Sequence, residues 1–285
     1  MKKIIFIILL TVANIYSQNL KLVIDLEKYT YMSGEPVILK HTFINPSNTP
    51  TAYTPFFNYT QIQIFNEAGN PINKIEKEKQ HFFAEEPLVS LILNPKEQII
   101  EFMNLNFYST EKYDLNWTTF LKPGKYKVSV IFQDYLVIEK DTLRYNKSTS
   151  NELNFEIIPM ASEGKELFQK FIMLNKQRNN QDININEFNK RALNLYFDNE
   201  SNPLSSLIGY YFILFNPDPS IIKILILKPN EYWVTDAFSS CTLDRKLLEL
   251  YQEKIANTTL EAYIKMASDL NKKRTEAIEK ERGKK

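Results

Sequence analysis

The side chains best able to do chemistry are few. The chain of 285 residues carries two histidines, His41 and His81, and one cysteine, Cys241. The histidines fall on a strand-like run and in a charged insertion, without the short-loop or helical spacing that gathers zinc ligands. They read as structural, and no metal is expected. Cys241 would need a base from the other half of the chain to become a nucleophile, so it reads as a packed or partly exposed thiol. There is no Gly-x-Ser-x-Gly elbow, His-Glu-x-x-His helix, P-loop or Gly-x-Gly-x-x-Gly turn. Six glycines in all leave little material for a phosphate-cradling loop. Glu85 and Glu86 could form a carboxylate pair, but a chain with 34 acidic residues offers many such pairs, so this one carries no weight. The expectation is a non-enzymatic protein with no catalytic residue and no cofactor.

A binding surface is better supported. Tyr53, Phe56, Phe57 and Tyr59 cluster beside Pro50 and Pro55, and Phe82 and Phe83 follow His81 in the insertion Glu76–Pro87. Aromatic side chains at loop tips combine large contact area with a polar handle, which suits contact with protein or carbohydrate. The alternative is that they close one end of a β-structure.

Those aromatics must be held by a scaffold, and the first half of the chain reads as strands. Leu121–Phe132 is its anchor. Pro123-Gly124 fits a tight turn, because proline presets φ and glycine supplies a positive one. Tyr126, Val128, Val130 and Phe132 then alternate with Lys125, Lys127 and Ser129, the period of a half-buried strand. Similar runs occur at Leu20–Leu26, Val37–Ile44, Gln61–Phe65, Leu88–Leu93, Ile99–Met103 and Leu153–Ile158, separated by Pro, Gly and Asn turns. Seven or eight short strands predict a two-sheet sandwich.

After Pro159 the period changes to that of helices. Stripes run through Leu167, Phe168, Phe171 and Leu174; through Phe188, Ala192 and Tyr196; and through Leu204, Leu207, Ile208 and Phe212. Further stripes follow at Ile221–Leu227 and Leu243–Ile255. Asn202-Pro203 supplies a cap and an N-terminal proline, and Thr258 with Glu261 forms a capping box opening a last helix. Asn230–Ser240 is left open between a short helix and a loop.

Several motifs occur in an order that resembles a known family. They are Tyr31-Met-Ser-Gly-Glu-Pro-Val-Ile-Leu, Phe43-Ile-Asn-Pro-Ser, Gln63-Ile-Phe-Asn-Glu-Ala-Gly-Asn-Pro-Ile, Leu93-Asn-Pro-Lys-Glu and Leu121-Lys-Pro-Gly-Lys-Tyr-Lys-Val. The series is similar to the immunoglobulin-like sandwich of the BsuPI-type proteinase-inhibitor family of secreted bacterial modules. The resemblance implies that fold and, as an alternative function, inhibition of a proteinase through a loop. Ser205–Tyr211 weakly resembles the second helix of a tetratricopeptide-type repeat.

Lys2 and Lys3, followed by the apolar Ile4–Leu10 and small residues up to Ser17, form the pattern of a cleavable signal peptide. The protein is therefore expected to be exported, periplasmic or secreted, with no transmembrane segment after cleavage. Loss of the two lysines takes the formal charge from +1 to −1. That balance argues against a nucleic-acid partner; protein or envelope carbohydrate is expected instead. The expected fold class is an all-β immunoglobulin-like sandwich followed by an all-α helical domain. Its segments are a signal peptide at 1–17, the sandwich at 18–159, an α-hairpin array at 160–271 and a charged tail at 272–285. The expected role is binding or assembly at the bacterial cell envelope, the alternatives being proteinase inhibition or a hydrolase with its site between the two domains.

Overall fold

A computed structural model describes residues 20–53, 60–72, 91–108, 111–112, 119–138, 142–215, 220–239 and 251–282. The expected signal peptide, the insertion at 76–87, His81, Trp117 and Cys241 lie outside these residues.

The sandwich starts from strands whose apolar residues alternate. β1 (Lys21–Leu26), β3 (Ile38–Ile44) and β7 (Gln98–Asn104) form an antiparallel sheet in the order β1-β3-β7. The second sheet is built around β10 (Gly124–Ile138), which pairs antiparallel with β5 (Thr60–Asn66), β11 (Thr142–Thr149) and β12 (Leu153–Ile158). β2 (Thr30–Met32) joins β12 in parallel. Two short ladders complete the strands: β4 (Thr51–Tyr53) with β6 (Leu91–Leu93), and β8 (Glu111–Lys112) with β9 (Thr119–Phe120).

The facing sides of the two large sheets make one core. Leu22, Ile24 and Leu26 from β1 and Leu39 and Phe43 from β3 share it with Val128, Val130 and Phe132 of β10 and Phe155 and Ile157 of β12. The Phe43 and Phe132 rings meet edge to face, 4.8 Å between centroids. Each such side chain contributes about 1.5–3 kcal/mol by leaving water.

The helices follow the stripes in the sequence. α1 (Ser162–Asn179), α2 (Ile185–Phe197), α3 (Ser205–Phe215), α4 (Ile221–Leu227), α5 (Tyr232–Ser239), α6 (Gln252–Ile255) and α7 (Thr259–Arg282) are described. Asn184 caps α2 by accepting the Glu187 N–H at 2.9 Å, satisfying a donor that the first turn leaves unpaired. At α7 the Thr258 hydroxyl accepts from Glu261 N–H at 3.3 Å, while the Glu261 carboxylate reaches back to Asn257 N–H at 2.7 Å.

An all-β sandwich followed by an all-α domain is not what forms. Among the described residues the fold is mixed, with sheets of three and five strands and seven helices, and the helices are layered onto the three-stranded sheet. The reason is on the outer face of that sheet. Phe43 pairs with Ile99 and His41 with Glu101, so Ile99 faces the sandwich while Ile100 and Phe102 point the other way. Ile38, Phe102 and Phe120 are buried in the same apolar cluster as Leu167, Leu207 and Trp233. A sheet that is apolar on both faces must be covered on both. α7 completes the cover: Met266 and Leu270 pack against the sandwich core, Ile100 N–H points at Met266 Sδ at 2.9 Å, and Lys273 pairs with Glu97. The expected tail at 272–285 thus begins inside a helix that continues to Arg282.

Candidate functional site

A group of interacting titratable side chains lies where α5 meets the three-stranded sheet. α5 holds six consecutive buried residues, Trp233 to Phe238. It approaches α3 closely because Gly209 has no side chain; a Cβ there would come within 2.7 Å of the Trp233 ring. Tyr232, the first residue of α5, lies with its ring against Phe102, 5.3 Å between centroids, with Lys40 Nζ 5.5 Å from the ring centre.

Tyr232 ties the helix to β1 and to the residue that follows it. Its N–H donates to Glu27 at 3.2 Å, and its hydroxyl donates to Asp25 at 3.1 Å. Asp25 is directly opposite Lys40 in the β1–β3 register. Desolvation of the Glu27 carboxyl, with repulsion from Glu231, pushes it up to about 7. Glu27 is exposed as a residue, so water screens part of that effect. Burial and the nearby Asp25 carboxylate also hold the Tyr232 phenol above its usual range. Glu231 accepts from the Trp233 indole and stands 3.7 Å from Lys228. Glu35 is buried, accepts Met32 N–H at 3.0 Å and pairs with Lys28.

One turn further along α5, Asp236 is buried and accepts the Tyr210 hydroxyl of α3 at 2.8 Å. The Asn104 side chain of β7 reaches the same hydroxyl. Desolvation raises the Asp236 carboxyl to about 6, opposed by the Tyr210 hydrogen bond. The seam therefore presents an open acidic and aromatic surface at its edge and a closed polar network beneath. Carboxylates held well above their usual range beside hydrogen-bonding groups mark functional sites more often than chance, although structural networks shift them too.

Of the residues expected from the sequence to form a binding surface, one lies among the described residues. Tyr53 ends β4. Phe56, Phe57, Tyr59, Phe82 and Phe83 lie outside the described residues. His41 is fully buried on the inner face of β3, with neither ring nitrogen hydrogen-bonded. Among the described residues, no group of three or more His, Cys, Asp or Glu side chains is arranged to hold a metal ion. A cavity of about 370 Å³ lies between the hairpin turn at Asn66 and the Leu121–Tyr126 stretch, and a groove of about 620 Å³ lies between β1 and Ser148–Asn151. Neither is lined by the seam carboxylates.

Sequence reasoning missed the seam. Asp25 sits on the polar face of an alternating strand, Glu27 just beyond that strand's end, and polar positions of that kind are usually solvated. What could have marked them is the partner element, Asn230–Ser240, an apolar stretch with a Trp and two acids that had no assigned place.

No family model matches the chain, and no curated protein matches it. Among solved structures, a β-glucosidase from Listeria innocua in complex with gluconolactone overlaps 49% of this chain and 16% of its own, at 11% identity and a TM-score of 0.24. A mutant of that enzyme in complex with laminaribiose overlaps 46% of this chain and 16% of its own, at 11% identity and a TM-score of 0.23. The chain thus spans about a sixth of those proteins, and similarity at this level carries no argument for fold or function.

Proposed function

We propose that the chain is an exported, non-enzymatic binding or assembly protein of the bacterial cell envelope, with a protein or envelope carbohydrate as its partner. The observation that carries this reading is the open edge of the seam. Tyr29 is 56% exposed beside Tyr232, and Asp25 and Glu27 flank them on a surface rather than in a cleft. Tyrosine beside charge is the composition of protein-contact surfaces. The test is co-purification from the envelope fraction with the mature protein and with Tyr29→Ala and Glu27→Lys. A specific partner or glycan retained by the parent and lost from both variants is expected. Identical recovery with all three would refute the assignment of the seam as the contact.

A second reading, a hydrolase with its site between sheet and helices, is favoured by one observation. Asp25 and Glu27 are alternate residues on β1 and its immediate extension, and desolvation with repulsion from Glu231 pushes the Glu27 carboxyl up, toward the range where a carboxyl can act as an acid. Turnover of glycan, peptide or ester substrates that falls at least tenfold in Glu27→Gln would support it. Absence of turnover across those classes would remove it.

A further inference from the structure

Helix α5 has no polar stripe to set which way it faces. Its residues Trp233 to Phe238 are all buried, and four of them belong to the apolar cluster that also holds Phe102 and Leu207. A helix buried all round satisfies the hydrophobic effect at more than one rotation, because burial is non-directional. The bonds from Tyr232 to Asp25 and Glu27 lie at an exposed edge, where water can replace them. Beneath that edge runs a polar chain with a direction. The Tyr210 hydroxyl donates to Asp236 at 2.8 Å, and the Asn104 side chain meets the same hydroxyl. Tyr210 has a single proton to give, so Asn104 is the donor there, through Nδ2. Asn104 Oδ1 in turn accepts Asn106 N–H at 3.0 Å, and Asn106 Nδ2 donates to the Glu35 carbonyl at 2.7 Å. The Glu35 carboxylate accepts from Met32 N–H and from Lys28. Asp236, Tyr210, Asn104, Asn106 and Glu35 are all buried.

We propose that Asn104, Tyr210 and Asp236 form a docking key: they fix the rotation at which α3 and α5 seat on the three-stranded sheet, rather than add to the strength of the seating. The chain of donors runs across three elements, from β7 through α3 to α5. Turning α5 by one residue, roughly 100°, takes Asp236 away from Tyr210 and leaves a carboxylate alone in an apolar layer. Such a stranded group costs more than the matched bond contributes, because the matched bond only replaces bonds to water. The network therefore acts mainly against wrong seatings. The apolar cluster around it supplies the stability and accepts several.

The test replaces the key in the full chain by apolar groups of similar size, Asn104→Leu, Tyr210→Phe and Asp236→Leu together, with Tyr210→Phe alone for comparison. The single variant strands the carboxylate and should show a lower urea midpoint than the parent. The triple variant should recover that midpoint and yet lose the single seating. Trp233 on α5 is one of two tryptophans, so its indole N–H is readily followed by NMR. Its signal should split or broaden in the triple variant, and hydrogen-exchange protection of Tyr232–Ser239 relative to β10 should fall by about tenfold or more. One sharp Trp233 signal with the parent's protection would overturn the key. So would a triple-variant midpoint no higher than that of Tyr210→Phe, since the network would then carry the stability itself. If the triple variant does not fold, Tyr210→Phe with Asp236→Leu is read in the same way, and its failure to fold also overturns the proposal.

Discussion

Replacing His41 with leucine should stabilise the protein and flatten its response to acid. His41 is fully buried on β3, opposite Ile24 of β1 and Glu101 of β7, and both of its ring nitrogens lack hydrogen bonds. A buried polar group without a partner costs about 1–3 kcal/mol. Leucine at that position keeps the apolar contacts with the sandwich core and removes the penalty, so a gain of about 1–2 kcal/mol at neutral pH is expected. Burial also lowers the imidazole from 6.5 to about 4. Because the folded value lies below the unfolded one, only the unfolded chain takes up the proton between these limits. Stability therefore falls as pH drops through that window. At roughly 1.4 kcal/mol per tenfold, the full effect is about 3 kcal/mol, a large part of the roughly 5–15 kcal/mol that holds a domain together. Urea unfolding followed by circular dichroism at several pH values between about 4 and 7 measures both quantities. The reasoning fails if His41→Leu shows the same acid sensitivity as the parent, or if it is less stable at neutral pH.

Two further substitutions probe the joints of the fold. Asn151 accepts the Ile24 N–H at 2.8 Å and donates to the Ile24 carbonyl at 3.0 Å, standing in for a strand along the edge of β1 that no strand pairs among the described residues. Asn151→Ala should lower stability by about 1–2 kcal/mol in urea titration, and the freed edge should promote self-association visible by light scattering. Gly209→Ala would place a methyl 2.7 Å from Trp233 and 2.9 Å from Tyr196. The crowding, about 1–3 kcal/mol, should exceed the roughly 1 kcal/mol that alanine adds to a helix, giving a lower melting temperature; a higher one would show that the α3–α5 contact is loose.

Much of the local structure is legible in the residues. The alternation through Tyr126, Val128, Val130 and Phe132 predicts a strand with one buried face, and those four residues line the sandwich core. The stripes at Leu167–Leu174 and Phe188–Tyr196 fall on α1 and α2 with the expected faces buried. Such patterns are local because side-chain direction repeats every two residues in a strand and every 3.6 in a helix.

The division into an all-β and an all-α part did not survive, because it depended on where the second face of a strand points. Ile99-Ile100 and Phe102-Met103 break the alternation of β7, which in hindsight marks a strand buried on both sides. What buries the second side lies more than a hundred residues away, in α5 and α7. Glu27, Tyr210, Tyr232 and Asp236 are likewise unremarkable in sequence; their altered proton affinities come from burial and from neighbours distant in the chain. The sequence by itself determined which segments become strands or helices and which of their faces are apolar. Only the tertiary structure decided which apolar face covers which, because burial is non-directional and satisfied by any complementary surface, and only that choice brought the carboxylates of β1 and its extension to the end of α5.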